Sequence, residues 1–252
     1  MILRLALLLV AAAGLSASGC ATQPGGASAS PPRETLAFFG LRPDMTVVEV
    51  WPGSGYTEIL APLLRQRGRL YEAHLDPASG EYARQTVDEF RARLAARPDL
   101  YDAVVLTTLA APPATSEIAP AGTADMVVTF HDLHNWMMFG WQREAFAAMH
   151  AALKPGGILG VVEHRGDPKR PQDPKAASGY VNEQYAIELI ESVGFKLVGR
   201  SEINANRKDT KDYEKGVWAL PPTFAEGAKD RERYAAIGES DRFTLKFVKA
   251  AQ

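Results

Sequence analysis

The sequence predicts an α/β domain with a mostly parallel sheet and helices on both faces, behind a short N-terminal appendage. Three observations carry this expectation. Apolar runs of strand length alternate with stretches of helical spacing, the pattern of parallel strands joined by crossover helices. An early run passes straight into a glycine turn and then a helix, within Thr46 to Leu64, TVVEVWPGSGYTEILAPLL. The last apolar run, Phe243 to Val248, follows a long irregular segment. With 252 residues, 46% hydrophobic and 23% charged, the chain can bury a full core.

Met1 to Gly19 carries one early charge at Arg4, an apolar run from Leu5 to Leu15, and small residues at Ala17, Ser18 and Gly19. That is the pattern of a secretory signal peptide, shorter than the roughly 20 apolar residues a membrane span needs. The lone cysteine, Cys20, follows at once. Ala17-Ser18-Gly19-Cys20 resembles a bacterial lipobox, which implies a lipid on Cys20 and a membrane anchor. Residues 20–32, rich in Gly, Ala, Ser and Pro, read as a flexible tether, and residues 33–252 as the domain. Ala21 in place of an aspartate resembles the sorting pattern for the outer membrane, facing the periplasm of the bacterial cell envelope.

Within the domain, Val47, Val48 and Val50 suit a strand buried on both faces, and Gly53 and Gly55 let the chain reverse close to a ligand. Ile59, Leu60, Leu63 and Leu64 share one helical side, with Pro62 an awkward resident. Further strands are expected at Gly68–His74, Ala103–Leu106, Ala124–Phe130, Ile158–Val162, from Lys196, and at Phe243–Val248. Helices are expected at Val87–Ala96, Gln142–Leu153 and Asn182–Val193, the last closed by Gly194. Pro112, Pro113 and Pro120 mark an irregular connection.

Glu49, Gly53 and Gly55 resemble the first motif of class I S-adenosylmethionine-dependent methyltransferases, acidic-x-Gly-x-Gly-x-Gly, with Trp51 in place of the first glycine. The segments EVWPGSGYTEILAP, TADMVVTFHDLHNWM, LKPGGILGVVEHR, INANRKDTKDYEKGVWALPPTF and AIGESDRFTLKFVK together resemble a bacterial family of predicted methyltransferases, often secreted. The resemblance implies a Rossmann-like class I methyltransferase fold: seven strands in the order 3-2-1-4-5-7-6, with the seventh antiparallel. It also implies S-adenosylmethionine as cofactor and a methyl acceptor it does not name. Cofactor contacts then fall on Glu49, Trp51, Pro52, Gly53, Ser54 and Gly55. His74 stands at the end of the second strand, where the family usually has an acid, so the ribose falls to Asp76 two residues later, with His74 also among the cofactor contacts.

Ligands in such sheets bind beyond the carboxyl ends of the strands. Neighbouring fourth and fifth strands would bring His131, Asp132, His134 and Asn135 opposite Glu163, His164 and Arg165. A histidine there can take a proton from a methyl acceptor at neutral pH, so His131 or His134 is expected as base. Glu163 or Asp132 would orient the imidazole, with His164 in the same cluster and Asn135 or Arg165 positioning the acceptor. The same residues could ligate a metal in a hydrolase, but their spacing is not that of a metal motif and no metal ligand is assigned.

Trp136 and Trp141 are expected in packing, or as an acceptor platform if Met137 to Gly140 is a loop. Arg207 to Asp212 reads as a solvated loop, with Trp218 to Pro222 a candidate lid. A noncatalytic binding or scaffolding lipoprotein is the rival from another class, favoured by the bulk of Trp51. A nicotinamide dehydrogenase ranks lower, for want of a full Gly-x-Gly-x-x-Gly turn. Nucleic acid is not expected as a partner, because 28 basic and 30 acidic residues give a net charge of -2 without a basic block. Export and donor chemistry pull apart here, since a charged cofactor made in the cytoplasm does not cross an apolar membrane unaided.

Overall fold

The computed structural model describes residues 31–53 and 55–250. The expected signal peptide, Cys20, nearly all of the tether, and Ser54 lie outside the described residues. None of the described helices is long and apolar enough to cross a membrane.

The strands are β1 (Thr46–Val50), β2 (Arg69–His74), β3 (Val104–Thr108), β4 (Ala124–Phe130), β5 (Leu153–His164), β6 (Phe195–Ser201) and β7 (Arg242–Lys249). They form one seven-stranded sheet in the order β3-β2-β1-β4-β5-β7-β6. β1 to β5 pair in parallel, and β7 runs antiparallel to both β5 and β6. This is the class I methyltransferase topology, and the order reverses direction between β1 and β4.

Helices α1 (Pro32–Phe39), α2 (Thr57–Leu64), α3 (Glu81–Ala96), α4 (Pro98–Tyr101), α5 (Leu133–Phe139), α6 (Gln142–Ala152), α7 (Glu183–Glu191) and α8 (Arg231–Ile237) complete the fold. On one face of the sheet, Val47, Leu70, Met126 and Val128 pack under Leu36 and Phe39 of α1 and Leu60 and Leu64 of α2. On the other, Val48, Val50, Val127, Leu159 and Val161 meet residues of α5, α6 and α7. Burial on both faces is why β1 is nearly continuous in valine. Gly160 belongs to this packing: a Cβ there would meet the Phe39 ring at 2.6 Å, so the bare backbone of β5 makes room for α1.

Several expected boundaries are corrected. α1, where the sequence reading places no helix, begins at Pro32, which suits a first helical position, and ends at a left-handed Gly40. α3 starts at Glu81, not Val87, because its first turns are polar and carry no apolar period. β3 runs on to Thr108, and β5 begins at Leu153 and passes through Pro155-Gly156-Gly157, which reads from sequence as a stop. Met137 to Phe139 belong to α5, with only Gly140 left-handed behind them, so the platform loop does not form. Trp136 is fully buried and Trp141 nearly so. The stretch between β6 and β7 builds a small second core from Tyr213, Val217, Leu220 and Tyr234, joined by Tyr180 from the connection between β5 and α7.

Candidate functional site

A cleft of about 970 Å³ opens beyond the carboxyl ends of β1, β2, β3 and β4, the place where open α/β sheets bind ligands. It falls within the size range of cofactor and small-molecule sites. Trp51, Pro52 and Gly53 form its wall after β1, His74 and Asp76 after β2, Leu109 to Pro112 after β3, and Asp132 and Asn135 after β4. Glu144 and Trp141 approach from α6 and the turn before it.

Trp51 takes φ 47° at the position where the motif has a glycine. A bulky residue in that left-handed region is strained and must be held by its surroundings. The holding contacts are visible. Its indole Nε1 donates to the Leu109 carbonyl at 3.3 Å. Its ring meets Trp136 and Trp141 with centroids 5.7 and 5.6 Å away. His131, at the end of the neighbouring β4, is likewise left-handed at φ 68°. Two strained residues thus end the two strands that flank the topological switch.

His74 accepts from the Leu75 N–H through Nδ1 at 2.7 Å, which places its proton on Nε2. That Nε2 is buried without a partner in a residue lining the cleft. Burial, helped by Arg93 and Arg91, pulls the pKa of His74 down to about 4, so it is a neutral donor at physiological pH. Asp76 Oδ1 caps a short turn by accepting from Ala78 N–H at 2.9 Å, holding the carboxylate at the cleft wall. Asp132 is buried, with Oδ2 accepting from Thr129 Oγ1 at 2.9 Å. Burial first, then the Glu163 charge, pushes its carboxyl well above the usual carboxylate range.

His131, His134, Glu163 and His164 do come together, but the cleft wall is built from Asp132 and Asn135 instead. Glu163 Oε1 accepts from His164 N–H at 2.7 Å and lies 3.1 Å from His134 Nδ1, while Oε2 accepts from His134 N–H at 3.2 Å. The carboxylate of β5 therefore satisfies an otherwise orphan N–H in the first turn of α5 and anchors that turn. His131 stacks on His164 with centroids 4.7 Å apart, and His164 Nδ1 lies 2.6 Å from Ser240 Oγ. Burial holds both imidazoles well below the usual histidine pKa. Trp218, from the β6–β7 insert, sits edge-on to His134 at 6.0 Å, so the insert closes over this cluster. Ligand-type atoms of His134, Glu163 and His164 lie within 4.8 Å of one another, a spacing a metal could use, although N–H donors already engage both Glu163 oxygens.

Of the expected cofactor residues, Trp51, Pro52, Gly53, His74 and Asp76 line the cleft, whereas Glu49 and Gly55 do not. Glu49 is buried beneath the turn, where its Oε2 accepts from Thr57 Oγ1 at 2.8 Å. Directly across the β1–β2 register it faces Glu72, also fully buried. Arg165 is occupied elsewhere, in a two-pronged pairing with Glu202. Sequence reasoning missed Tyr82, Phe139 and Glu144 as cleft residues, and gave Asp132 only an orienting role. The signal for Asp132 is its place just after the fourth strand. Tyr82, Phe139 and Glu144 carry none, because helices bring them to the cleft from elsewhere in the chain.

Neither a family model nor a curated protein matches the chain. Solved structures do match it. A SAM-dependent methyltransferase from Aquifex aeolicus is similar at 15% identity, with 87% of this chain and 90% of that chain covered and a TM-score of 0.53. The [4+2]-cyclase SpnF matches at 15% identity, 88% and 80% coverage and a TM-score of 0.58. A Burkholderia thailandensis 1,6-didemethyltoxoflavin-N1-methyltransferase, crystallised with 1,6-didemethyltoxoflavin and S-adenosylhomocysteine, matches at 12% identity, 87% and 76% coverage and a TM-score of 0.51. The chain thus has the Rossmann-like class I methyltransferase fold. A cyclase among its neighbours is a reminder that one fold hosts several chemistries.

Proposed function

We propose that this chain is an S-adenosylmethionine-dependent methyltransferase, exported and held at the bacterial cell envelope by a lipid on Cys20. The observation that carries the catalytic reading is the cleft at the β1/β4 switch, walled by Gly53, His74, Asp76 and Asp132. Supporting it, two neighbours in fold are methyltransferases, one of them crystallised with the demethylated cofactor. When bound, the cofactor supplies an electrophilic methyl group on a sulfonium.

The chain's own residues do the rest. Gly53 allows close backbone approach, Asp76 accepts from the ribose hydroxyls, and His74 donates through Nε2. Asp132, its carboxyl held well above the usual carboxylate range by burial, takes the proton of the acceptor, and Asn135 beside it orients that acceptor. His134 and Glu163 are positioning residues that pin the turn carrying both. The histidines expected as bases thereby act through Asp132.

Binding of S-adenosylhomocysteine tests this reading. The ligand is expected to raise the Tm of the full-length chain, since it binds only the folded state. A Cβ at Gly53 would have only the Trp51 carbonyl oxygen nearby, at 3.9 Å, so Gly53→Val has room to fold. That variant should lose the Tm shift while keeping its own ligand-free Tm. No shift in the unaltered protein at millimolar ligand would overturn the proposal in favour of a noncatalytic scaffold.

A further inference from the structure

The cleft wall is one-sided in charge. Asp76, Glu81, Asp132 and Glu144 line it, and among the described residues no lysine or arginine does. Glu81 is paired with Arg84, which lies off the wall. Asp76 and Glu144 are left as charges facing the opening. The nearby cations of α3 are engaged elsewhere: Arg91 pairs with Asp88 at 3.1 Å, and Arg93 lies over the Phe90 ring at 4.9 Å.

The mouth is also aromatic. Among the described residues, four large hydrophobic side chains are exposed, and the two aromatic ones, Tyr82 at 79% and Phe139 at 73%, both stand on this cleft. They come from different helices, the start of α3 and the end of α5. Trp51, half-buried, also lines the cleft. Aromatic faces attract flat rings and cations alike, and an acidic wall repels anions.

We infer that the second ligand of this cleft, the methyl acceptor, is an alkyl amine carrying a flat aromatic ring, admitted as a cation or neutral molecule, and that carboxylate and phosphate acceptors are excluded. The inference rests on the methyltransferase reading for the word acceptor, and on the wall alone for the charge preference. The ammonium form binds, and one of its protons passes to the Asp132 carboxylate, freeing the nitrogen lone pair. An N–C bond then forms as the C–S bond breaks, with that electron pair left on sulfur. The product leaves as a methylammonium.

The test uses three probes that share one ring system: tryptamine as the cation, indole as the neutral form and indole-3-acetate as the anion. Each is titrated calorimetrically into the full-length chain, with and without S-adenosylhomocysteine. Tryptamine is expected to bind at least about tenfold tighter than indole-3-acetate, with the ratio shrinking in 1 M salt as screening weakens the field. Glu144→Gln should narrow that ratio, whereas Phe139→Ala should weaken all three probes alike. Indole-3-acetate binding as tightly as tryptamine, or no probe binding while S-adenosylhomocysteine binds, overturns the inference and leaves the methyltransferase reading standing. Tryptamine binding to a chain that ignores S-adenosylhomocysteine does the reverse: the donor reading falls and the charge preference survives.

Discussion

Asp132 and His134 sit two residues apart on one turn, yet the geometry gives them different work. Asp132 faces the cleft with a raised carboxyl pKa, and a base must be deprotonated, so activity should rise with pH through that raised value. Asp132→Asn is expected to lower turnover by about two to four orders of magnitude and remove that acid limb, with S-adenosylhomocysteine affinity nearly unchanged. His134→Ala should cost less and keep the limb, because it loosens the turn without removing the proton acceptor. Release of S-adenosylhomocysteine across a pH series, with tryptamine as acceptor, separates the two. Stoichiometric metal in the purified protein, lost in His134→Ala, would instead move the cluster to hydrolase chemistry. At Trp51, strain and packing oppose each other. Trp51→Ala loses the indole contacts and keeps a Cβ at positive φ, while Trp51→Gly loses the same contacts and relieves the backbone. The glycine variant should therefore be the more stable by about 1–2 kcal/mol in urea unfolding, and the opposite order would refute the strain.

Between β1 and β2, the facing pair Glu49 and Glu72 makes the sheet sensitive to pH. Burial pushes Glu49 up to about 7 and Glu72 well above the usual range, where the Glu49 charge adds to the effect. A carboxyl whose folded pKa lies above its unfolded value of about 4.5 stabilises fully below that value. Its contribution is lost as pH rises through the folded pKa. Glu72→Gln removes one of the two acids, while Glu49 keeps the bond it accepts from Thr57 Oγ1. The difference in unfolding free energy, variant minus wild type, should grow in the variant's favour between pH 5 and 8. A flat difference curve would show that the pair does not share this burden. The buried imidazoles of His131 and His164 act in the opposite direction, since their folded pKa values are depressed, and they cancel in that difference.

For the whole molecule, the lipid anchor proposed on Cys20 decides where a domain with this cleft works. Cys20→Ala should abolish metabolic fatty-acid labelling and release the chain from membranes. The S-adenosylhomocysteine-induced Tm shift should be unchanged, because all seven strands and the cleft lie beyond the tether. Labelling that persists in the variant would refute the lipobox. Fractionation of the unaltered chain then sets the supply problem: an enzyme facing the periplasm needs its donor brought across a membrane that a charged cofactor does not cross alone.

Strand and helix order was legible from local patterns, since Val47 to Val50, the glycine turn and the late Phe243 to Val248 strand each announce themselves within a few residues. The convergence of HDLHNW with Glu163-His164 was legible only through the family resemblance, because the strand order it implies makes the fourth and fifth strands neighbours. What a single chain pattern does not carry is which side of a turn faces the ligand. Asp132 and His134 are near neighbours in sequence, and only the helix beginning at Leu133, anchored by Glu163, decides that Asp132 meets the cleft. Register is equally silent: nothing in either strand says that Glu49 will face Glu72, and only the parallel pairing of β1 with β2 puts them together. The residues by themselves thus determined the elements and the fold class, through apolar runs of strand length alternating with stretches of helical spacing. The family resemblance supplied the strand order and with it the neighbourhood of the site. Tertiary packing decided the roles within it, because burial, facing direction and charge compensation depend on groups far apart in the chain.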